Sequence, residues 1–182
     1  MSPARTRWLG LLGVLLYAGH AGRRALLGHP EHLLWMCHVG ALLVATGLLA
    51  HAATVNAIGT HWLVVGLPLW LADLARGAEF FPTSILTHVG GLLLGLIALR
   101  ALGVPRGAWW TSAVALVVLA AVGRALTPAD DDVNLAFTVL PAGAAPWMAG
   151  AAAAGALAVS AAAFYAIERG LRVLGFPVAR TC

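Results

Sequence analysis

EHLLWMCHVGALLVATGLLAH, residues 31–51, is an apolar run long enough to cross a bilayer, and it carries Cys37 and His38 near its start. A hydrocarbon core of about 30 Å takes roughly 20 mostly apolar residues as a helix. Working outward, five further stretches qualify, at about 8–26, 56–75, 84–102, 108–125 and 147–166. Gly28-His29-Pro30 opens the quoted run, with proline at a helix start where its missing N–H costs nothing. Phe81-Pro82-Thr83-Ser84 opens the fourth with a capping hydroxyl from Thr83 or Ser84. Gly103-Val104-Pro105 closes it. The expected fold is an all-α integral membrane protein, a six-transmembrane-helix bundle forming one domain over 1–182. The first span is the weakest. Arg5, Arg7, the run from Trp8 to Tyr17 and Ala18-Gly19-His20-Ala21 also fit a cleaved signal peptide.

Composition agrees with this reading. Of 182 residues, 61% are hydrophobic and 10% charged, with mean hydropathy +0.89. An ordinary soluble domain holds about 25% charged residues, so a water-soluble core of this size could not hide so much apolar surface. A disordered tail, a disulfide scaffold and a separate soluble catalytic domain are excluded. The 11 basic residues are all arginine, against 7 acids. They stand singly or in pairs at the ends of apolar runs, where they anchor helices, and no nucleic-acid partner is expected. Two cysteines, Cys37 and Cys182, make neither a disulfide framework nor a CxxC site.

Counting arginines gives orientation. Arg5, Arg7, Arg100, Arg106, Arg169, Arg172 and Arg180 fall on one side, and Arg23, Arg24, Arg76 and Arg124 on the other. The positive-inside rule then places both termini in the cytoplasm. The expected location is a bacterial inner or plasma membrane. Gly91 and Gly95 form a GxxxG, and the Ala- and Gly-rich last span permits close packing.

Polar groups at membrane depth are costly, so each is a functional candidate. In this topology Cys37 and His38 lie roughly 10 Å below the outer face, and His88 enters span four to a similar depth. Asp73 ends span three at that face, with Trp35, Thr83, Ser84 and Asn134 nearby. Adjacent helical residues point about 100° apart, so His38 faces away from Cys37. Asp73 precedes Arg76 by three and suits a helix-end salt bridge. A thiol attacks poorly without a base, and Cys37 with His88 is the pair two helices could bring together. Asn134, Ser84 or Thr83 could donate to an oxyanion. The same layer could equally hold a metal on His38, His88 and Asp73. No HxxxH or HxxE spacing on one helix supports that, and no metal or cofactor is expected. Trp35, Trp70 and Phe80-Phe81 could hold an acyl chain or form an interfacial belt.

Met36-Cys37-His38-Val39, then Phe81-Pro82-Thr83 leading to Thr87-His88-Val89-Gly90, then Val133-Asn134-Leu135 with Pro141 and Pro146-Trp147, resembles the YwaF and transmembrane protein 164 family. That family is itself similar to the androgen-induced proteins, intramembrane lipid hydrolases. The likeness covers about residues 30–165. It implies an intramembrane acyltransferase or hydrolase acting on fatty acyl esters of a membrane lipid, with Cys37 as nucleophile, His88 as base and Asn134 orienting or donating. His38, Asp73, Thr83, Ser84 and Trp35 are the expected substrate-binding neighbours. Leu135 stands where the family commonly has an aromatic residue, and Trp35 and Met36 replace its polar flanks. Two other readings stay open from the residues alone. One is a non-catalytic transporter or partner subunit with a structural polar layer. The other is a Cys-independent enzyme, metal-dependent or an acid–base cyclase using Asp73 and Glu79. The oligomeric state, the lipid headgroup and the acyl acceptor are not readable.

Overall fold

A computed structural model describes residues 1–137 and 145–179. The described residues form an all-helical bundle: α1 (Pro3–Leu26), α2 (Met36–Leu49), α3 (Ala53–Ala75), α4 (Pro82–Leu102), α5 (Ala108–Leu126) and α6 (Pro146–Val173). Four segments are long and apolar enough to cross a membrane: α3, α4, α5 and Gly150–Val173 of α6. Their outward faces carry exposed Leu71, Leu93, Val118 and Tyr165, and α1 adds Trp8 and Leu15. Such surfaces oppose folding in water and fit lipid. This is a helical membrane protein. Pro141, Arg180 and Cys182 lie outside the described residues.

The quoted run departs from a continuous helix. Pro30–Leu34 is a 3₁₀ turn, and Trp35 then adopts φ −58°, ψ 137°, so α2 starts only at Met36. Its 14 residues span about 21 Å. Cys37 and His38 therefore sit in the first turn of a helix, not two turns inside one. Apolar composition does not register a single extended residue. The last helix also runs further than 147–166, to Val173.

Two features bind the bundle. Glycines let α2, α3 and α4 approach closely: a Cβ on Gly59 would strike Gly40 O, and one on Gly47 would lie 2.7 Å from Asn56 N. Gly91 and Gly95 of the GxxxG face Ala41 on α2 and Thr60 on α3. Around these contacts Val44, Leu48, Leu63, Leu94 and Ala98 form the core. At the start of α5, buried Glu168 accepts from Trp109 N at 2.9 Å and Gly107 N at 3.3 Å, and pairs with Arg172 at 2.6 Å. A carboxylate there satisfies first-turn amides and complements the helix dipole.

Candidate active site

The start of α2 is set by the loop before α6. Asn134, at φ 58° and ψ 28°, accepts from Met36 N through Oδ1 at 2.7 Å and donates from Nδ2 to Leu34 O at 2.7 Å. Asn tolerates the left-handed region better than most residues. Its amide thus clamps the backbone on both sides of Trp35. His38 N and Val39 N both bond Trp35 O.

His88 is carried by a π turn, Leu86–Gly90, inside α4. Such turns replace the i+4 pattern with i+5 and widen the helix. Ser84 O accepts from His88 Nδ1 at 2.9 Å and from Thr87 Oγ1 at 3.1 Å. A carbonyl can only accept, so Nδ1 bears the proton and Nε2 keeps its lone pair. Trp70 stacks on the His88 ring at 4.5 Å between centroids and 13° between planes.

Cys37 Sγ, a His38 ring nitrogen and a His88 ring nitrogen lie within 4.8 Å of one another. They line a cavity of about 810 Å³ between α2, α3, α5 and α6. Its walls are mostly apolar, with Met36, Val65, Leu69, Leu116, Ala156 and Phe164 among them. Trp35, Ser84 and Asn134 line the same space.

Sequence reasoning missed His20, which lies fully buried on α1. His38 Nδ1 donates to His32 O at 2.7 Å. For neutral rings, His38 Nε2 is then an acceptor and takes the His20 Nε2 proton across 3.1 Å. His20 Nδ1 accepts in turn from Thr83 Oγ1 at 3.1 Å. Thr83 therefore reaches the site through two imidazoles and does not line the cavity. His38 bonds α1 through His20, yet a nitrogen of its ring also lies within 4.8 Å of Cys37 Sγ, nearer than the angle between adjacent helical residues led one to expect. The only prior signal of His20 was a polar side chain in an apolar run.

Asp73 is not brought in. It is exposed and pairs with Arg76 at 3.3 Å, so the His38, His88, Asp73 metal set is not assembled; Cys37 stands where Asp73 was expected. Asn134 also differs from an oxyanion donor, because both ends of its amide already hold backbone. It holds the start of α2, which carries Cys37. Asp131 approaches His32 Nε2 at 3.5 Å.

Arg24 is the second residue the sequence concealed, since an arginine at a helix end reads as a topology anchor. Its guanidinium lies 4.6 Å from the Phe81 ring centre, and NH1 reaches His32 Nδ1 at 3.2 Å. Its buried Nε has no partner. Among the described residues no carboxylate is within ion-pair distance of it. Arg24, Trp35, Ala78 and Glu79 line both the large cavity and a neighbouring pocket of about 420 Å³, which adds His29 and His32. No protein-family model, curated protein or solved structure matches the chain.

Proposed function

We propose that this chain is an intramembrane lipid acyltransferase or hydrolase of the YwaF and transmembrane protein 164 type. In this reading it has six spans and both termini in the cytoplasm of a bacterial inner or plasma membrane. The observation that carries the proposal is the meeting of Cys37 Sγ and a His88 nitrogen, within 4.8 Å, on the wall of an apolar cavity. An apolar chamber suits a fatty acyl chain and excludes competing water. The pocket beside it, with the unpaired Arg24 cation, suits an anionic headgroup.

The chemistry follows from the two side chains. His88 Nε2 takes the Cys37 thiol proton as sulfur attacks the lipid ester carbonyl, forming a C–S bond and an oxyanion. The Cys37 N–H, a first-turn amide of α2, is the backbone donor to that oxygen. Collapse breaks the ester C–O bond; the departing alkoxide takes the proton from His88 and leaves as lysolipid. Water or a lipid hydroxyl, deprotonated by His88, then attacks the thioester. Its collapse returns the proton to Cys37 and releases fatty acid or a new ester. The Trp70 face beneath His88 stabilises the imidazolium formed in each half.

Intact-mass spectrometry of the purified protein after incubation with mixed membrane phospholipids tests this. Wild type gains a fatty-acyl mass, and His88→Ala does not. No adduct from any lipid, with both proteins folded, would make the polar layer a structural network and overturn the reading.

A further inference from the structure

Acyl transfer uses two of the three ligand-type atoms that meet at the cavity wall, and His38 is left over. Both histidines in that group are anchored in the same way. His38 Nδ1 donates to His32 O at 2.7 Å and His88 Nδ1 to Ser84 O at 2.9 Å. A backbone carbonyl on one ring nitrogen is the outer-shell arrangement that fixes the tautomer of metal-binding imidazoles and leaves Nε2 as the ligand. The third member is a thiol in the first turn of α2, on the wall of the same cavity. We propose that Cys37, His38 and His88 form a binding site for a Zn²⁺-class ion, with a fourth position open to the cavity.

The donor set selects the metal. One thiolate and two imidazoles favour a borderline-soft ion over Mg²⁺ or Ca²⁺, which require oxygen ligands. Tetrahedral zinc with ordinary bond lengths sets ligand atoms about 3.5 Å apart, so a group already within 4.8 Å closes by small movements. The π turn under His88 is the place where the backbone can supply them. Binding replaces the Cys37 thiol proton, which passes to bulk buffer, and forms one S–Zn bond. The metal also takes the His38 Nε2 lone pair, so His20 gives up its bond there while keeping Thr83 at Nδ1.

One consequence rests on the acyl-transfer reading. A bound ion would hold the nucleophile's sulfur and the base's lone pair together. Metal-loaded protein would therefore be silent, and metal-free protein competent.

The experiment uses the full chain carrying Cys182→Ser, in detergent, with Co²⁺ as the probe. One equivalent should give a near-ultraviolet thiolate-to-cobalt band and visible tetrahedral bands, both erased by Zn²⁺. Cys37→Ser should lose the thiolate band, while His38→Ala and His88→Ala should each weaken binding by about 100-fold. The partly exposed His29–Glu31–His32 group is a second ligand cluster, so a Glu31→Ala protein, which breaks that group at a residue lining neither pocket, serves as control and should bind as before. A missing thiolate band, or an affinity unmoved by His38→Ala and His88→Ala, overturns the site. A second measurement needs no ligand variant: maleimide labelling of Cys37 should slow at least about tenfold with Zn²⁺ and recover with EDTA. An unchanged labelling rate refutes the proposal. The fatty-acyl adduct, sought in metal-free protein, reports separately on acyl transfer, so either idea can fail alone.

Discussion

Asn134 and Trp70 fix Cys37 and His88 by different means, and each gives a residue-scale test. Asn134 holds Cys37 indirectly, through 2.7 Å bonds to Met36 N and Leu34 O. Asn134→Ala leaves a half-buried amide and carbonyl without partners, at about 1–3 kcal/mol each. The expected outcome is a lower Tm in detergent and altered Cys37 alkylation kinetics, with the α2 start loosened. Unchanged values of both would mean that the clamp does not control the thiol. Trp70 acts on His88 by stacking. If the imidazolium forms during acyl transfer, removing the ring costs about 1–2 kcal/mol of cation–π stabilisation, or roughly tenfold in rate. Trp70→Leu should slow adduct formation by that factor while Trp70→Phe keeps most of it. Equal slowing in both would assign the effect to packing alone.

Elements were legible in the sequence where a helix depends on local apolar composition, and hidden where it depends on a backbone break. The starts of α3, α4 and α5 fall within three residues of their expected positions, because hydropathy and the Pro and Gly punctuation act locally. The 3₁₀ start before α2 and the π turn under His88 were not legible, since neither changes composition. Both carry the candidate site. The Cys37–His88 pairing was foreseen from depth alone, whereas His20 joins across 18 residues to His38 and 63 to Thr83. Nothing in the α1 sequence marks that partnership. Glycine packing was legible only in part: the GxxxG of α4 was visible, but Gly40 and Gly59 contact each other from separate helices. A Cβ at Gly59 meets the Gly40 carbonyl and lies 2.9 Å from Val44 N, both unable to move aside. Gly59→Ala should therefore cost about 1–3 kcal/mol by overpacking, seen as a lower Tm. Gly150→Ala, which meets nothing within 4 Å, should leave Tm unchanged or raise it slightly.

At the scale of the whole molecule, the cavity lies where the bundle is least tightly joined. Only 11% of the most apolar window of α6 is buried, against 44% for α3, so small side chains of α6 form one wall without filling it. Ala152, Ala156, Ser160 and Ala163 all line the chamber opposite Leu69 and Trp70. Such a wall leaves the chamber wide enough for a flexible chain. If the chamber is the acyl site, its volume sets chain length. Ala156→Trp would fill part of the space from the α6 wall, which carries neither Cys37 nor His88. The expected outcome is a shift of the fatty-acyl adducts to shorter chains, with the rate on a short-chain phospholipid unchanged. Intact-mass spectra on a donor series differing only in chain length read both at once. An equal loss on every donor would mean that the wall supports the fold and the acyl chain lies elsewhere. An unshifted distribution at full rate would leave the chain outside the bundle, against lipid.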